Sequence, residues 1–398
     1  MKALVILSLL LYSIVSFGQE AFQKKLQEEL ILAEPGSVIH LPEGNFTLTA
    51  ALSLMTDEVL IKGKGMNKTI LSFKNQKTGA EGFTVNASGV TFEDLTIQDT
   101  KGDGIKVTKS KDLTIRRVKI EWTGGPKKTN GGYGLYPVQC KNVLIEDSEV
   151  VGASDAGIYV GQSKNIIVRR NYVHQNVAGI EIENSIGADV YDNMAINNTG
   201  GILVFDMPSL SLYGSKTRVF NNRVISNNLD NFAPAENVVG LTPPGTGIMV
   251  LSTDQVEIFG NEIKDNQTAG IIITNYGVTE KPIDDEKYDL FPEGLFIYDN
   301  TFVGGGENPK GGSSEISQTI IGILKNALPL PFPHIIYDGA VNPLKTKEGQ
   351  IPNDLKLCIQ ETKEVKFVNL DLPNSMDGLT FDRAAHSCTH PKLTPIKF

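Results

Sequence analysis

Long hydrophobic runs are nearly absent from this chain of 398 residues. The one clear run, residues 3–15, follows Lys2 and precedes the small residues Ser16 and Gly18. It is too short to span a bilayer, and its flanks are typical of a cleavable signal peptide over residues 1–18. We therefore expect the mature chain to be periplasmic or secreted.

Cysteine is also scarce, with only three residues in the chain. None stands at the expected cleavage site, so a lipoprotein anchor is not indicated. Cys358 and Cys388 lie in the same terminal region and can pair in an oxidising compartment. Cys140 is then left as a small core or turn residue. The alternative is a metal site in the stretch His386-Ser-Cys388-Thr-His390, and we prefer the disulfide with two surface histidines.

Basic residues are fewer than acidic ones, 37 against 46, which gives a net charge of −9 and a pI near 5.2. This balance argues against a nucleic-acid partner, which favours a basic surface. A polyanionic substrate stays open, because a local basic patch can override the net charge.

The pattern that is present is a repeat. Gly-Ile pairs begin at Gly157, Gly179 and Gly201, a spacing of 22 residues. The same register continues outward to Gly82, Gly104, Gly134, Gly247 and Gly270. Within a unit, apolar residues alternate in three short runs, which predicts three strands and leaves no room for a helix. Such a period indicates coils that stack on one another, with parallel strands about 4.8 Å apart.

Asparagine recurs just after the second apolar run of each unit. The set is Asn171, Asn193, Asn222, Asn261 and Asn300, with Ser148 in the same slot. Asparagine suits sharp bends, and stacked amides form ladders. We interpret these residues as structural.

These features resemble the right-handed parallel β-helix of the pectate-lyase-like superfamily. The segment Glu20–Leu48, with an amphipathic helix, a Pro-Gly turn and first strands, resembles the opening of many such proteins. Residues 133–148 and 200–208 resemble exported bacterial parallel β-helix repeat proteins, for which the resemblance implies no activity. The expected fold is all-β: a right-handed single-stranded parallel β-helix with an N-terminal capping helix and a C-terminal capping segment.

The expected organisation is a signal peptide over residues 1–18, the β-helix over 19–303, and a C-terminal cap over 304–398 that packs on it. The region after Val303 breaks the repeat, with a predicted helix over 313–327 and a strand-like piece over 365–370. Three insertions interrupt the coils at residues 122–132, 207–245 and 277–294. Loops of this length on a rigid scaffold often carry function.

Alternation predicts which side chains point outward on the first strand of each coil. On the early coils the outward residues are Lys106, Tyr136, Tyr159 and Glu181, which line a groove about 14 Å long over four coils. On the later coils they are Leu203, Phe205, Met249, Leu251 and Ile272. An apolar stripe of this size is usually covered, and we expect the 207–245 insertion or the C-terminal segment to cover it. A partner protein is the alternative.

In the superfamily the groove face is the usual polysaccharide site. We therefore expect an exported protein that binds or acts on acidic polysaccharide, by polyuronate lyase or C5-epimerase chemistry. Such an enzyme needs a cation, a base and often a tyrosine acid. The candidate catalytic residues are Lys106, Tyr136, Tyr159 and His174. The candidate substrate-binding residues are Asp155, Glu181, Glu183 and Arg169. No metal site is predicted, although Asp103, Asp155 and Glu181 leave Ca²⁺ binding open.

Two other functions stay open. A hydrolase would pair Asp155 with Glu181 or Glu183. A non-catalytic envelope protein that binds glycan or protein is favoured by the apolar stripe and by missing motifs. The Asp-Pro-His-Asp stretch of periplasmic alginate epimerases, the paired aspartates of polygalacturonases and the Arg-x-Pro-x-x-Arg region of pectate lyases are all absent.

Overall fold

The computed structural model describes residues 19–346 and 350–398. The predicted signal peptide lies outside the described residues. Within them, no helix is both long and apolar enough to cross a membrane.

Each turn of the chain contains three short strands, and successive turns stack in parallel register. In one turn the strands are β13 (Ala156–Gly161), β14 (Lys164–Arg169) and β15 (Tyr172–His174). The following turn places Ile180 beside Ile158 and Ile182 beside Val160. The predicted parallel β-helix with three strands per coil is confirmed.

The strands form two sheets along the described part of the chain. Sheet 1 contains the first strand of each turn: β3 (Ala50–Leu54), β6 (Thr78–Val85), β8 (Ile105–Thr108), β10 (Tyr133–Val138), β13, β16 (Ala178–Glu183), β19 (Gly200–Phe205), β22 (Thr246–Leu251), β25 (Ala269–Thr274), β28 (Ile335–Tyr337) and β30 (Phe367–Asn369).

Sheet 2 contains the other two strands of each turn, which the long strands β7 and β9 join into one sheet. Its members are β1 (Val38–His40), β2 (Gly44–Thr47), β4 (Leu60–Lys62), β5 (Thr69–Ser72), β7 (Thr91–Gln98), β9 (Lys111–Glu121), β11 (Lys141–Glu146), β12 (Glu149–Val151), β14, β15, β17 (Ile186–Tyr191), β18 (Met194–Ile196), β20 (Ser215–Phe220), β21 (Arg223–Ile225), β23 (Asp254–Phe259), β24 (Glu262–Lys264), β26 (Phe296–Tyr298), β27 (Thr301–Val303) and β29 (Cys358–Gln360).

Alternate side chains of every strand point into a shared interior. Ile158, Val160, Ile180 and Ile182 are all buried in one continuous core cluster. Each such aliphatic side chain contributes roughly 2–3 kcal/mol through burial. Since the period is two, the residues between them point outward, which is what places the candidate site on sheet 1.

The predicted asparagine ladder is confirmed. The side-chain oxygen of Asn193 accepts hydrogen bonds from the main-chain and side-chain nitrogens of Asn171, both at 3.0 Å. The side-chain nitrogen of Asn193 donates to Val168 O (2.9 Å) and to Asn222 Oδ1 (3.0 Å). The unusual backbone lies one residue earlier than the ladder, where Asp192 has φ +54°. The ladder therefore stabilises the bend between the second and third strands.

Substituting Asn193→Ala is expected to lower the free energy of unfolding by about 3 kcal/mol, because buried partners above and below lose their hydrogen bonds. Asn326→Ala is the matched control, since Asn326 lies exposed on a helix. Chemical denaturation of both variants measures the difference. Equal stability of the two variants would contradict a structural role for the ladder.

A second ladder was not predicted. Asn176, Asn198, Asn227 and Asn266 stack in the same way, each two residues after the end of the third strand of its coil. Its signal was present, because Asn176 and Asn198 are 22 residues apart. The two ladders fix the bends on both sides of the third strand.

The first coil is covered by a helix, α1, over residues 19–32. Leu26 and Leu30 are buried against the core. Gln23 Oε1 accepts from the main-chain nitrogen of Thr49 (2.7 Å), and Gln27 Oε1 accepts from that of Ser53 (3.1 Å). The predicted capping helix is confirmed, and these glutamines satisfy the exposed strand edge that would otherwise invite association.

The apolar stripe on sheet 1 is covered from both predicted directions. Val239, from the 207–245 insertion, packs in one cluster with Leu203 and Met249. The same cluster includes Tyr276 and, from the third insertion, Tyr288. Ile272 also contacts a cluster that contains Ile321 of the C-terminal segment. The stripe is therefore an intramolecular interface.

The predicted C-terminal helix is present as α2 (Glu315–Ala327), capped by the Ser314 side chain. Beyond Val303 the coil also continues, because β28, β29 and β30 extend both sheets in parallel register. Short 3-10 segments lie in the connections, at Val238–Leu241, Tyr276–Thr279, Asn353–Leu355, Leu372–Asn374 and Ala384–His386. Long insertions between these late strands hide the repeat from the sequence. The division at residue 303 stays a prediction.

The terminal cysteines form a disulfide, Cys358–Cys388, and Cys140 is buried and free. His386 Nδ1 and His390 Nε2 contact the carbonyl oxygens of Leu357 and Lys356. The preferred disulfide is present, but the two histidines that were expected at the surface are partly buried.

Candidate functional site

Sheet 1 brings together six of the eight predicted site residues. In neighbouring strands Tyr136 pairs with Lys106, and Tyr159 pairs with Glu181. Asp155 immediately precedes β13, and Glu183 ends β16. Five of the six, together with Asp103 and Tyr133, form what we call the acid–tyrosine cluster: Asp103, Tyr133, Tyr136, Asp155, Tyr159, Glu181 and Glu183. Lys106, the sixth, lies beside it.

The other two predicted residues, His174 and Arg169, lie on sheet 2 and do not join the cluster. His174 Nε2 contacts Glu149 Oε1 at 3.2 Å. Arg169 Nε donates to Glu146 Oε2 at 2.8 Å, and its Nη1 donates to Tyr191 Oη at 3.0 Å. The sequence analysis expected both at the groove on sheet 1, whereas they belong to β15 and β14 of sheet 2.

Three tyrosines line one side of the cluster. The ring of Tyr133 lies 4.4 Å from that of Tyr136 and 4.6 Å from that of Tyr159. Lys106 Nζ lies 5.2 Å from the centre of the Tyr136 ring and 4.0 Å from Glu81 Oε1. Aromatic faces of this kind stack on sugar rings, and a cation above one adds polar recognition.

The orientation of Tyr159 depends on a glycine. A Cβ atom at Gly161 would lie 2.1 Å from Tyr159 Oη, so no side chain fits there. The space lets the Tyr159 ring lie along its own strand, and its hydroxyl donates to Glu183 Oε1 at 2.6 Å. Burial raises the pKa of Tyr159 well above its ordinary value, so this hydroxyl is a proton donor at neutral pH.

Three buried carboxyl groups form the inner end of the cluster. Glu181, Glu183 and Asp155 are only 3%, 6% and 7% exposed. Burial raises the pKa of Asp155 to about 7, opposed by the hydrogen bond from Asn237. Burial likewise raises the pKa of Glu183 to about 7, opposed by Tyr159. Asp103, nearer the open end, has a pKa raised to about 6 by burial.

Glu181 differs from its neighbours because its Oε2 atom is buried without a hydrogen-bond partner. Burial, followed by the charges of Asp155 and Glu183, raises its pKa well above the ordinary value. Burial without a hydrogen-bond donor destabilises the ionised form of Glu181 and therefore favours its neutral form. A neutral carboxylic acid beside carboxyl groups that titrate near 7 is an arrangement suited to general acid–base catalysis.

The insertion at 207–245 covers this inner end. Asn237 Nδ2 donates to Asp155 Oδ2 at 2.9 Å, across 82 residues of sequence. Lys281 Nζ donates to the carbonyl oxygen of Glu236 at 3.0 Å. The accessible end is at Lys106, Tyr136 and Asp103, which are all partly exposed. The predicted open groove of four coils is therefore shorter, since Tyr159 and Glu181 are buried.

Sequence reasoning missed the contributions of Tyr133 and Asn237. Tyr133 directly follows the first insertion, and its main-chain nitrogen donates to Asp103 Oδ1 at 3.1 Å. Its aromatic type next to a repeat glycine was an available signal. No sequence signal indicated the role of Asn237, because a contact over 82 residues does not follow from a local pattern.

Among residues 19–346 and 350–398, no group of three histidine, cysteine or carboxylate side chains is arranged to hold a metal ion. Binding of Ca²⁺ by Asp103, Asp155 and Glu181 stays a prediction.

Comparison with known proteins agrees with the fold. The family described as "right handed beta helix region" matches residues 78–230 and 127–280, just over half of the chain. The chain belongs to this family of right-handed parallel β-helix proteins.

Solved structures of similar fold share little sequence with the chain. The mannuronan C-5 epimerase AlgE6 A-module of Azotobacter vinelandii is 16% identical, with a TM-score of 0.50 over 86% of this chain and 88% of that one. The periplasmic alginate epimerase AlgG is 15% identical, with a TM-score of 0.42 over 70% and 81%. DFA-IIIase from Arthrobacter chlorophenolicus A6 is 13% identical, with a TM-score of 0.41 over 84% and 92%. At these identities the similarity establishes the fold alone.

Proposed function

We propose that this protein is an exported enzyme that acts on a glycan at the acid–tyrosine cluster, by general acid–base cleavage of a glycosidic bond. The observation that carries the proposal is Glu181, a buried carboxyl group with an unpartnered oxygen, placed between two other carboxyl groups and a row of tyrosines. Glycan-cleaving sites use such carboxyl pairs, one protonated and one ionised.

The roles follow from the local environments. Glu181, the most strongly disfavoured as an anion, donates its proton to the glycosidic oxygen as the bond from the anomeric carbon to that oxygen breaks. Asp155, held by Asn237, accepts a proton from the water that forms the new bond to the anomeric carbon. Glu183 accepts a hydrogen bond from Tyr159 and is thereby kept in place beside them. The segment around Asn237 must move for a sugar to reach the inner end.

A second candidate is polyuronate lyase or C5-epimerase chemistry. It is supported by the Lys106–Tyr136 pair, where a cation lies beside a tyrosine at the open end. Lys106 would neutralise the uronate carboxylate, and Tyr136 would act as the acid. Burial raises the pKa of Tyr136 to about 12, which suits proton donation rather than proton abstraction.

A panel of purified glycans distinguishes these chemistries. The protein is incubated with neutral, amino-sugar and uronate oligosaccharides, and three products are measured: new reducing ends, ultraviolet absorbance of unsaturated ends, and C5 inversion by NMR. New reducing ends without unsaturated product support the first candidate. Unsaturated or inverted uronate supports the second. Binding without turnover of any glycan would contradict both and favour a non-catalytic glycan-binding protein.

Export is proposed from the signal peptide predicted over residues 1–18, and the Cys358–Cys388 disulfide supports it, since such bonds persist in oxidising compartments. Cell fractionation with N-terminal sequencing of the mature protein tests it. Recovery of the full-length chain with Met1 from the cytoplasm would contradict it.

A further inference from the structure

Two buried carboxyl groups on sheet 2 are paired with cations. Glu93 pairs with Lys62 and Arg116, both at 2.6 Å, and Glu146 pairs with Arg169 at 2.7 Å. Such pairing is what a buried charge normally requires.

On sheet 1 the pairing is missing. In the part of the chain that the structure describes, no lysine, arginine or histidine forms an ion pair with Asp155, Glu181 or Glu183. The charges that act on them come from one another and from Asp103 nearby. Lys106, the cation nearest to the open end, is directed toward Glu81.

The unpartnered oxygen of Glu181 indicates that this cluster lacks a hydrogen-bond donor. A buried oxygen without a donor is expensive in a folded protein unless a ligand supplies that donor. An ammonium group supplies three donors and one positive charge. A uronate carboxylate supplies neither, and beside three carboxyl groups it adds like-charge repulsion.

The tyrosines favour the same type of ligand. Tyr133, Tyr136 and Tyr159 present faces and hydroxyl groups within 4.4–5.0 Å of one another, ring centre to ring centre. Aromatic faces attract cations as well as sugar rings, and the attraction grows when water is excluded.

From this charge pattern we infer that the glycan bound at the acid–tyrosine cluster carries free amino groups, so that a sugar ammonium group donates a hydrogen bond to the unpartnered oxygen of Glu181 and lies beside the carboxyl groups of Asp155 and Glu183. The inference rests on the proposed function for the location of the site and names the substrate class that this site takes. The expected substrate is a polysaccharide of non-acetylated amino sugars, either alone or alternating with neutral sugars.

The test is isothermal titration calorimetry of the intact mature protein with three oligosaccharides of equal length: glucosamine oligomers, N-acetylglucosamine oligomers and mannuronate oligomers. The expected result is at least tenfold tighter binding of the glucosamine oligomer than of either of the others. Glu181→Leu, which removes the unpartnered oxygen, should reduce that preference at least fivefold. The control Glu149→Leu, at a glutamate on sheet 2, should leave it unchanged.

The outcomes separate this inference from the proposed function. Equal or tighter binding of the N-acetylated oligomer, or tighter binding of mannuronate with or without added CaCl₂, overturns the inference, and hydrolysis of a neutral glycan would leave the proposed function standing. Preferential binding of the glucosamine oligomer without any turnover supports the inference and contradicts the proposed enzyme activity. Absence of binding to all three overturns the inference, whereas the proposed function is decided by the wider glycan panel.

Discussion

Substituting Glu181→Gln is expected to lower the rate of glycan cleavage by about 10²- to 10⁴-fold, the usual contribution of a positioned general acid. Glutamine has nearly the same shape but carries no transferable proton. The fold should survive, because Glu181 is buried with Oε2 unpartnered and gains nothing from ionisation. Turnover of the active oligosaccharide under saturating conditions measures the loss.

Glu149→Gln serves as the control for this substitution. Glu149 lies on sheet 2 with His174 and Lys119, whose hydrogen bonds lower its pKa below the ordinary value. This variant should retain wild-type turnover. If Glu181→Gln retained more than a tenth of the wild-type rate in a folded protein, Glu181 would not be the general acid.

The free energy of unfolding is expected to fall by about 2 kcal/mol or more between pH 6.5 and pH 8.5. Burial raises the pKa of Asp155, Glu183 and Asp254 to about 7 and that of Asp206 to about 8. In the unfolded chain these groups are already ionised, so the folded state holds more protons at pH 6.5. Stability is therefore lost as the pH rises through the folded values.

Two histidines act in the opposite direction at lower pH. Burial lowers the pKa of His334 and His386, which disfavours the folded state as the pH falls below the ordinary histidine value of 6.5. Starting at pH 6.5 keeps their effect small. Thermal melts across this range should show Tm falling by about 2 °C or more.

The double variant Glu181→Gln/Glu183→Gln should reduce this pH dependence, because Glu183 no longer titrates, whereas Glu149→Gln should not. A Tm that stays constant or rises from pH 6.5 to pH 8.5 in the wild-type protein would mean that burial does not raise the pKa of these carboxyl groups in the folded state.

Much of the fold follows from local patterns. The 22-residue spacing of Gly157, Gly179 and Gly201 predicted the coil. Alternation around Ile158 and Ile180 predicted which side chains point inward and which point outward. The outward apolar residues also predicted that something covers them, since exposed stripes of that size are unfavourable. These features depend on residues close in sequence or one coil apart, so the sequence contains them directly.

The candidate site depends on contacts between strands and insertions that the 22-residue repeat does not predict. Alternation shows that Tyr159 and His174 both point outward, yet they occupy different strands of the coil and face different directions. Burial of Tyr159 and Glu181 requires the insertion that carries Asn237, and its path is set by packing against the apolar stripe. The last strands, such as β30, are separated by insertions that remove the repeat signal.

The crystal structure of the Glu181→Gln variant with a bound amino-sugar oligosaccharide tests whether the acid–tyrosine cluster is the glycan site. The expected result is a sugar ring stacked on Tyr136, with a glycosidic oxygen or an ammonium group within hydrogen-bonding distance of residue 181 and the segment around Asn237 displaced. A sugar bound on sheet 2, or at the open end with Asn237 still bonded to Asp155, would contradict it.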